Sequence, residues 1–327
     1  MTKDFGSTLF LVGSPFQCLC MLEAINYFKI DNYDILITNT DDGNIEKIDR
    51  LLKKHDFKYN KIKVEHLFFS IIPLLFSKHK YYKNIFIGYL YSKTSFAIAN
   101  IYASFNANIY ILDDGVQALS FFSSKPRIIK TSHRVKIVES FYNLIGYVKL
   151  VKKPTFFTIF DVQSSEYQII NNPFKLLESK LRKIKEKNGI YIIGTNSSML
   201  DFKDYTYRDY IISLHKYIMC KYLVDEIYYC PHRRDRNLED IIVLCKHLGI
   251  KIYDTKVSVE YDFIENNINP KLIIGFTSNA LFTLHLLYPS TDIKTVMYNL
   301  KSEQADTETQ IIRNRLNESG ISTIEIF

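Results

Sequence analysis

Two adjacent carboxylates follow a strongly apolar segment in the first half of the chain. The tripeptide Asp113-Asp114-Gly115 ends the run 108–112, which has the composition of a buried strand. A carboxylate at a strand end can act as a general base, because it accepts a proton from a hydroxyl held within hydrogen-bonding distance. The same tripeptide is also typical of a turn. For the second copy, Asp41-Asp42-Gly43, a turn is the favoured interpretation.

A second group of titratable side chains follows a strand-like segment in the second half. Tyr228-Tyr229-Cys230 is followed by Pro231, His232 and Arg233. An imidazole can donate a proton near neutral pH, and an adjacent guanidinium can stabilise an anion. We therefore expect an acid at His232 to complement the carboxylates of the first half, as in an enzyme with a cleft between two halves.

Three further segments place glycine or hydroxyl side chains where a strand turns into a helix. They are Gly13-Ser14-Pro15, Gly194-Thr195-Asn196 and, after Gly275, Thr277-Ser278. Glycine lets the backbone approach a ligand closely, and hydroxyls at a helix start can help to bind phosphate. Ordinary turns and N-caps have the same composition. Glu260 could accept hydrogen bonds from ribose hydroxyls, or it could be a solvated loop residue.

Short β-branched segments alternate with segments of helical periodicity, which predicts an α/β protein with parallel sheets covered by helices. The charged segment 173–188 predicts a linker helix that ends at Asn188-Gly189. We expect two Rossmann-like domains, residues 1–172 and 189–327, on either side of it. The predicted strands are 8–12, 33–38, 61–64, 84–87 and 108–112 in the first half, and 189–193, 226–229, 251–253, 272–275 and 295–298 in the second.

The composition excludes several classes of protein. The chain has 327 residues, of which 47% are hydrophobic, so it is globular rather than disordered. Five cysteines without CxxC pairs argue against a zinc or disulfide framework and favour a reducing compartment. With no visible secretion signal, we expect a cytoplasmic protein. The net charge of +7 suits an anionic partner, but no nucleic-acid-binding motif is present.

The most apolar segment, 66–76, has about half the length that spans a bilayer. It is followed by a basic stretch from Lys78 to Lys83. A core helix followed by a solvated basic turn is the favoured interpretation. A segment lying at the inner face of the cytoplasmic membrane, in peripheral contact with anionic lipid, is the alternative.

The order of these motifs resembles that of the bacterial sialyltransferases of glycosyltransferase family 52, the lipooligosaccharide type, and more distantly that of bacterial polysialyltransferases. Those enzymes carry an Asp/Glu-Asp/Glu-Gly motif, a His-Pro motif and a paired Ser/Thr motif. Asp113-Asp114-Gly115, His232 and Thr277-Ser278 match them in that order. The opening segment 9–17 is similar as well. One departure is that proline precedes His232, and Arg233 occupies the usual proline position.

The resemblance implies a GT-B fold, in which two Rossmann-like domains face an interdomain cleft. It implies transfer of sialic acid from CMP-sialic acid to a hydroxyl of a lipooligosaccharide or capsule glycan, with inversion. Asp113 would be the base, Asp114 would position the loop, and His232 would assist the departing phosphate. Thr277 and Ser278 would hold that phosphate. The other implied donor-binding residues are Gly194, Thr195, Asn196, Pro231, Arg233 and, for the ribose, Glu260; the implied acceptor or cleft residues are Gly13, Ser14, Pro15 and Gly115.

No cofactor is expected, because the CMP-sugar is itself the donor substrate. No metal is expected either, because hydrogen-bond donors and cationic side chains can neutralise the charge of the leaving group. The partners expected are that donor and a glycan acceptor, and a homodimer stays open. Three alternatives stay open too. The chain could use another CMP-ulosonic acid or a hexose nucleotide, it could be a non-catalytic polysaccharide-assembly protein, or it could be a nucleic-acid-binding module, which no motif supports.

Overall fold

The computed structural model describes residues 6–38, 41–62, 80–115, 117–122, 150, 152–181, 188–195, 201–223, 226–232 and 237–326. The chain forms two compact units, Met1–Leu176 and Leu177–Phe327. Within the described ranges, no helix combines the length and the apolar character needed to cross a bilayer. The apolar segment 66–76 lies outside these ranges, so the favoured core helix and the alternative, a membrane contact, both stay predictions.

The first unit contains a parallel sheet. Its strands are β1 (Thr8–Val12), β2 (Tyr33–Thr38), β3 (Asn60–Ile62), β4 (Tyr82–Ile87), β5 (Ala103–Leu112), β6 (Thr155–Thr158) and β7 (Ile169–Asn171), and its described helices are α1 (Pro15–Phe28), α2 (Asp42–Lys54), α3 (Lys93–Tyr102) and α4 (Gln117–Phe122). The strand order is β3-β2-β1-β4-β5-β6-β7. A further helix, α5 (Lys175–Leu181), contains the boundary between the units.

The second unit repeats this architecture. Its strands are β8 (Asn188–Ile193), β9 (Ile227–Cys230), β10 (Lys251–Ile252), β11 (Pro270–Gly275), β12 (Asp292–Val296) and β13 (Ser322–Ile324), and its described helices are α6 (Tyr207–Lys221), α7 (Leu238–His247), α8 (Val259–Glu265), α9 (Asn279–Leu287) and α10 (Glu303–Glu318). The strand order is β10-β9-β8-β11-β12-β13, and all of its ladders are parallel.

Aromatic side chains fix the centre of the first sheet. Phe10 on β1, Phe86 on β4 and Tyr110 on β5 are register partners. Their rings stack with centroid distances of 4.8 Å and 4.4 Å. Aromatic pairs on neighbouring strands stabilise both the pairing and its register. The stack therefore sets where β5 ends, and with it the position of Asp113.

In each sheet, successive strands are added first on one side of the first strand and then on the other. In the first sheet β1 lies between β2 and β4, and in the second sheet β8 lies between β9 and β11. Loops that leave such neighbouring strands diverge and form a crevice at their carboxyl ends, where open α/β sheets bind ligands. Gly13 and Gly88 border this crevice in the first unit, and Gly194 and Thr277 border it in the second.

Most predicted strands are present, but three details differ from the sequence-based predictions. β6, β7 and β13 were not predicted, because each has only three or four residues and so shows no clear periodicity. Asn188 begins β8 instead of ending the linker helix. The turn predicted at Asp41-Asp42-Gly43 is wrong, since Asp41 is the N-cap of α2 and its carboxylate accepts a hydrogen bond from the Asn44 N–H at 3.0 Å.

Candidate functional site

Asp113, at the carboxyl end of β5, is buried, with only 1% of its surface exposed. One carboxylate oxygen accepts a hydrogen bond from the Thr158 hydroxyl at 2.6 Å, and the other accepts one from the Ile159 N–H at 2.7 Å. Burial raises the pKa of Asp113 to about 7; the two hydrogen bonds oppose that rise and the Asp114 charge adds to it. Both oxygens of Asp113 therefore have partners inside the first unit.

Asp114 is half-buried, so it is the more exposed residue of the pair. Gly115 follows with a φ of 68°, in the left-handed region that favours glycine. A Cβ at Gly115 would meet nothing within 4 Å. The glycine is therefore required by the backbone turn and not by packing, and this turn takes the chain away from the sheet directly after Asp114.

The loop after β1 is closed by hydrogen bonds within the unit. Ser14 is the N-cap of α1 and accepts from the Gln17 N–H at 3.2 Å, with Pro15 as the first helical residue. The Gly13 N–H donates to the Gln17 side-chain oxygen at 2.6 Å. A Cβ at Gly88 would lie 2.4 Å from that oxygen. The buried Gln17 side chain, which we did not single out from the sequence, thus occupies the border of this crevice.

Gly194 directly follows β8, where the second unit has its crevice. A Cβ there would lie 2.5 Å from the Tyr229 hydroxyl oxygen and 2.9 Å from the Cys230 carbonyl oxygen. The Tyr229 hydroxyl is 2.9 Å from that of Tyr207, which also accepts a hydrogen bond from the Thr195 N–H at 3.3 Å. Tyrosine packing is therefore sufficient to explain this glycine. The adjacent Asn196 lies outside the described residues.

The second unit brings several predicted residues to one edge of its sheet. Pro231 and His232 follow β9 and are half-buried, Gly194 follows the neighbouring β8, and Thr277-Ser278 follows β11 on the other side of β8. Carboxyl ends of parallel strands share an edge, so a ligand in the crevice can contact all three loops. Arg233 lies outside the described residues, and its predicted role stays a prediction.

Thr277 and Ser278 open α9, a helix of nine residues. The Ser278 side chain caps the helix by accepting a hydrogen bond from the Ala280 N–H at 3.3 Å. Among the described residues, the buried hydroxyl oxygen of Thr277 and the side-chain oxygen of Asn279 have no hydrogen-bond partner. Buried polar atoms without partners are rare because they cost free energy. Two of them at one helix start indicate a ligand site.

Glu260 lies in α8 and is only 4% exposed, so the interpretation as a solvated loop residue is wrong. Its carboxylate accepts a hydrogen bond from the Thr283 hydroxyl on α9 at 3.1 Å. Burial raises the pKa of Glu260. The residue joins α8 to α9, the helix that Thr277 and Ser278 open, and its contact with a ribose stays a prediction.

The structure adds residues that sequence reasoning missed. Thr158 holds Asp113, and its strand β6 is too short to show periodicity. Only its composition, Thr-Phe-Phe-Thr directly after a proline, is a signal that could have predicted it. Tyr207 and Tyr229 had no such signal, because only their packing distinguishes them. All five cysteines are free. No group of three or more His, Cys, Asp or Glu side chains that could hold a metal is present in the described ranges.

No family model and no curated protein sequence matches the chain, but solved structures share its fold. An α/β-galactoside α-2,3-sialyltransferase from the luminous marine bacterium Photobacterium phosphoreum matches 97% of this chain and 98% of its own, with a TM-score of 0.54 and 14% identity. The GT-B domain of a sialyltransferase from Photobacterium damselae matches 98% and 99%, with a TM-score of 0.53 and 11% identity. The predicted two-domain α/β fold of the GT-B class is confirmed. The assignment to glycosyltransferase family 52 stays a prediction.

Proposed function

We propose that the protein is an inverting glycosyltransferase that moves sialic acid from CMP-sialic acid to a hydroxyl of a cell-surface glycan. The observation that carries the proposal is the placement of the matched motifs. Asp113-Asp114-Gly115, His232 and Thr277-Ser278 each follow a strand at the carboxyl edge of its own parallel sheet, the edge at which such sheets bind ligands. The similarity to sialyltransferase structures along almost the whole chain supports the same function.

In this proposal the second unit binds the nucleotide. Thr277, Ser278 and the N-terminus of α9 hold the phosphate through hydroxyl and N–H groups. The loop of Gly194 and Thr195 lies at the same crevice and approaches the cytidine. His232, which follows β9, donates a hydrogen bond or a proton to the phosphate oxygen that takes up the electron pair of the breaking glycosidic bond. CMP is the leaving group.

The first unit supplies the general base, and we assign that role to Asp114. A base must be reachable by the acceptor hydroxyl. Asp113 is only 1% exposed and its oxygens accept hydrogen bonds from β6 and the residue after it, whereas Asp114 is half-buried. Asp113 instead holds the loop, which reverses the roles expected from the sequence. As the acceptor oxygen bonds to the anomeric carbon, its proton passes to Asp114 and the bond from that carbon to the CMP phosphate oxygen breaks.

The proposal is tested by incubating the purified protein with CMP-sialic acid and a galactose-terminated acceptor and detecting the product by mass spectrometry. Asp114→Asn and His232→Asn should each lower kcat by at least about 100-fold, the usual contribution of a general acid or base. Two matched controls should keep normal activity. Asp42→Asn changes the exposed carboxylate of the other Asp-Asp-Gly tripeptide, and His247→Asn changes an exposed histidine on α7.

The outcomes separate the alternatives. Turnover with a different CMP-ulosonic acid or a hexose nucleotide, and none with CMP-sialic acid, would show the same fold with another donor. Glycan binding without turnover of any nucleotide sugar would indicate a non-catalytic assembly protein. Normal kcat in Asp114→Asn would rule out Asp114 as the base.

A further inference from the structure

Arg313, on α10, is a buried cation that forms no ion pair with a carboxylate among the described residues. Only 5% of its surface is exposed. Its two terminal nitrogens donate to the Tyr298 carbonyl oxygen and to the Met297 sulfur, each at 2.8 Å. Its third nitrogen, Nε, has no partner among the described residues. The carboxylate of Asp306 attracts it from a distance, but no ion pair forms in the described part of the chain.

The stability of the fold does not explain a buried guanidinium in this setting. The guanidinium loses its hydration, and hydrogen bonds to a carbonyl and a thioether do not replace the electrostatic stabilisation that a carboxylate would provide. Burial accordingly lowers the pKa of Arg313. An apolar side chain of similar volume would fill the same space at least as favourably, because replacing buried charges with apolar groups is often neutral or stabilising. The positive charge itself therefore needs an explanation.

Arg313 lies one side chain away from the loop that opens α9. The guanidinium carbon is 5.3 Å from the centre of the Tyr298 ring, and Tyr298 is 3% exposed. Burial raises the pKa of Tyr298, while polar groups of Thr277 and the charge of Arg313 lower it. The Tyr298 ring packs against that of Phe276, the neighbour of Thr277, with centroids 5.6 Å apart, and the Thr277 hydroxyl oxygen has no hydrogen-bond partner among the described residues.

We propose that Arg313 supplies the buried positive charge of an anion site at the loop between β11 and α9, with Tyr298 as the side chain between Arg313 and Thr277. The inference rests on the proposed function, because the anion is the phosphate of the nucleotide donor. Arg313 acts through Tyr298 and through its electric field, which water screens weakly inside a protein. It is a positioning residue, and its field adds to that of the α9 N-terminus.

CMP and cytidine provide the test, because they differ only in the phosphate. Wild-type protein should bind CMP more tightly than cytidine, as measured by calorimetry. Arg313→Met should reduce that preference about tenfold, or about 1.4 kcal/mol, because two charges inside a protein, at an effective dielectric constant of about 20, still interact with an energy of this order when another side chain lies between them. The Kd for cytidine should not change. The Tm of the variant should equal or exceed that of the wild type, since the substitution removes a buried charge.

Two variants serve as controls. Arg313→Lys keeps the charge and should stay within about threefold of the wild-type preference for CMP. Arg315→Met removes an exposed arginine two residues along the same helix, where it pairs with Glu318 at 2.7 Å, and should leave both Kd values unchanged because solvent screens that charge.

Each outcome decides. Equal losses of CMP and cytidine affinity, or a much lower Tm in Arg313→Met, would show a merely structural role and overturn the inference. So would loss of the CMP preference in Arg313→Lys despite its charge, or a wild-type protein that binds the two ligands equally. A clear Arg313-dependent preference for CMP, together with no transfer from any CMP-sugar, would leave the inference standing and overturn the proposed transferase function.

Discussion

Replacing Asp113 with asparagine tests the burial of its carboxylate through the pH dependence of stability. Burial raises the pKa of Asp113 from 3.8 to about 7. Between about pH 4 and pH 7 the folded protein therefore holds a proton that the unfolded chain has released. The stabilisation from this proton is complete below about pH 4 and is lost as the pH rises through the folded-state pKa of about 7.

The magnitude follows from the size of this shift. One pH unit inside the window changes the free energy of unfolding by about 1.4 kcal/mol, so the full shift of about three units corresponds to about 4 kcal/mol. Asparagine has a similar shape and no titrating charge, and its single oxygen can still accept from Thr158 or from the Ile159 N–H. As the pH rises from 5 to 7, the wild type should therefore lose stability relative to Asp113→Asn, by about 1.4 kcal/mol of unfolding free energy per pH unit.

The assay is urea unfolding followed by circular dichroism at intervals between pH 5 and 8. Asp42→Asn is the matched control for the loss of a carboxylate, because Asp42 is exposed in the same unit. A constant difference between Asp113→Asn and wild type would refute the reasoning, because it would mean that the folded protein holds Asp113 with an ordinary pKa. The transfer assay gives an independent check, since Asp113→Asn should retain measurable activity where Asp114→Asn does not.

Two glycine substitutions should affect stability for different reasons. Gly194→Ala should cost about 1–3 kcal/mol in thermal unfolding, because its Cβ would lie 2.5 Å from the Tyr229 hydroxyl oxygen; adding Tyr229→Phe should recover part of the loss, and no recovery would contradict that contact. Gly115→Ala should cost about 1–2 kcal/mol through its φ of 68° alone. Gly115→Asn should cost less, because asparagine tolerates the left-handed region, and equal costs would point to side-chain packing instead.

Local patterns in the sequence predict most of the secondary structure. The central strands of both sheets carry continuous apolar side chains, as strands buried on both faces must, and the strand predicted over 8–12 is β1 (Thr8–Val12). Shorter elements were missed, since a four-residue strand such as β6 gives no periodic signal. The repeated α/β pattern was sufficient to predict the two-domain fold, because each crossover between parallel strands needs a helix.

By itself, the sequence also determined which residues were candidates. Asp113-Asp114-Gly115, His232 and Thr277-Ser278 all follow strands, and the shared direction of parallel strands places such positions at the carboxyl edge of their own sheet. This inference needs only residue types and spacing. It could not separate Asp113 from Asp114, which have the same chemistry and adjacent positions.

Only the tertiary structure decided which candidates are buried and which side chains they contact. Asp113 is covered by Thr158, 45 residues further along the chain, and Glu260 is buried against Thr283 on another helix. Arg313 reaches the loop of Thr277 through Tyr298, which no local pattern connects to either of them. Burial and charge arise from contacts between distant segments, so they are properties of the packed units. For that reason the sequence could name the carboxylate pair, and only the packing of β6 against β5 distinguishes its two members.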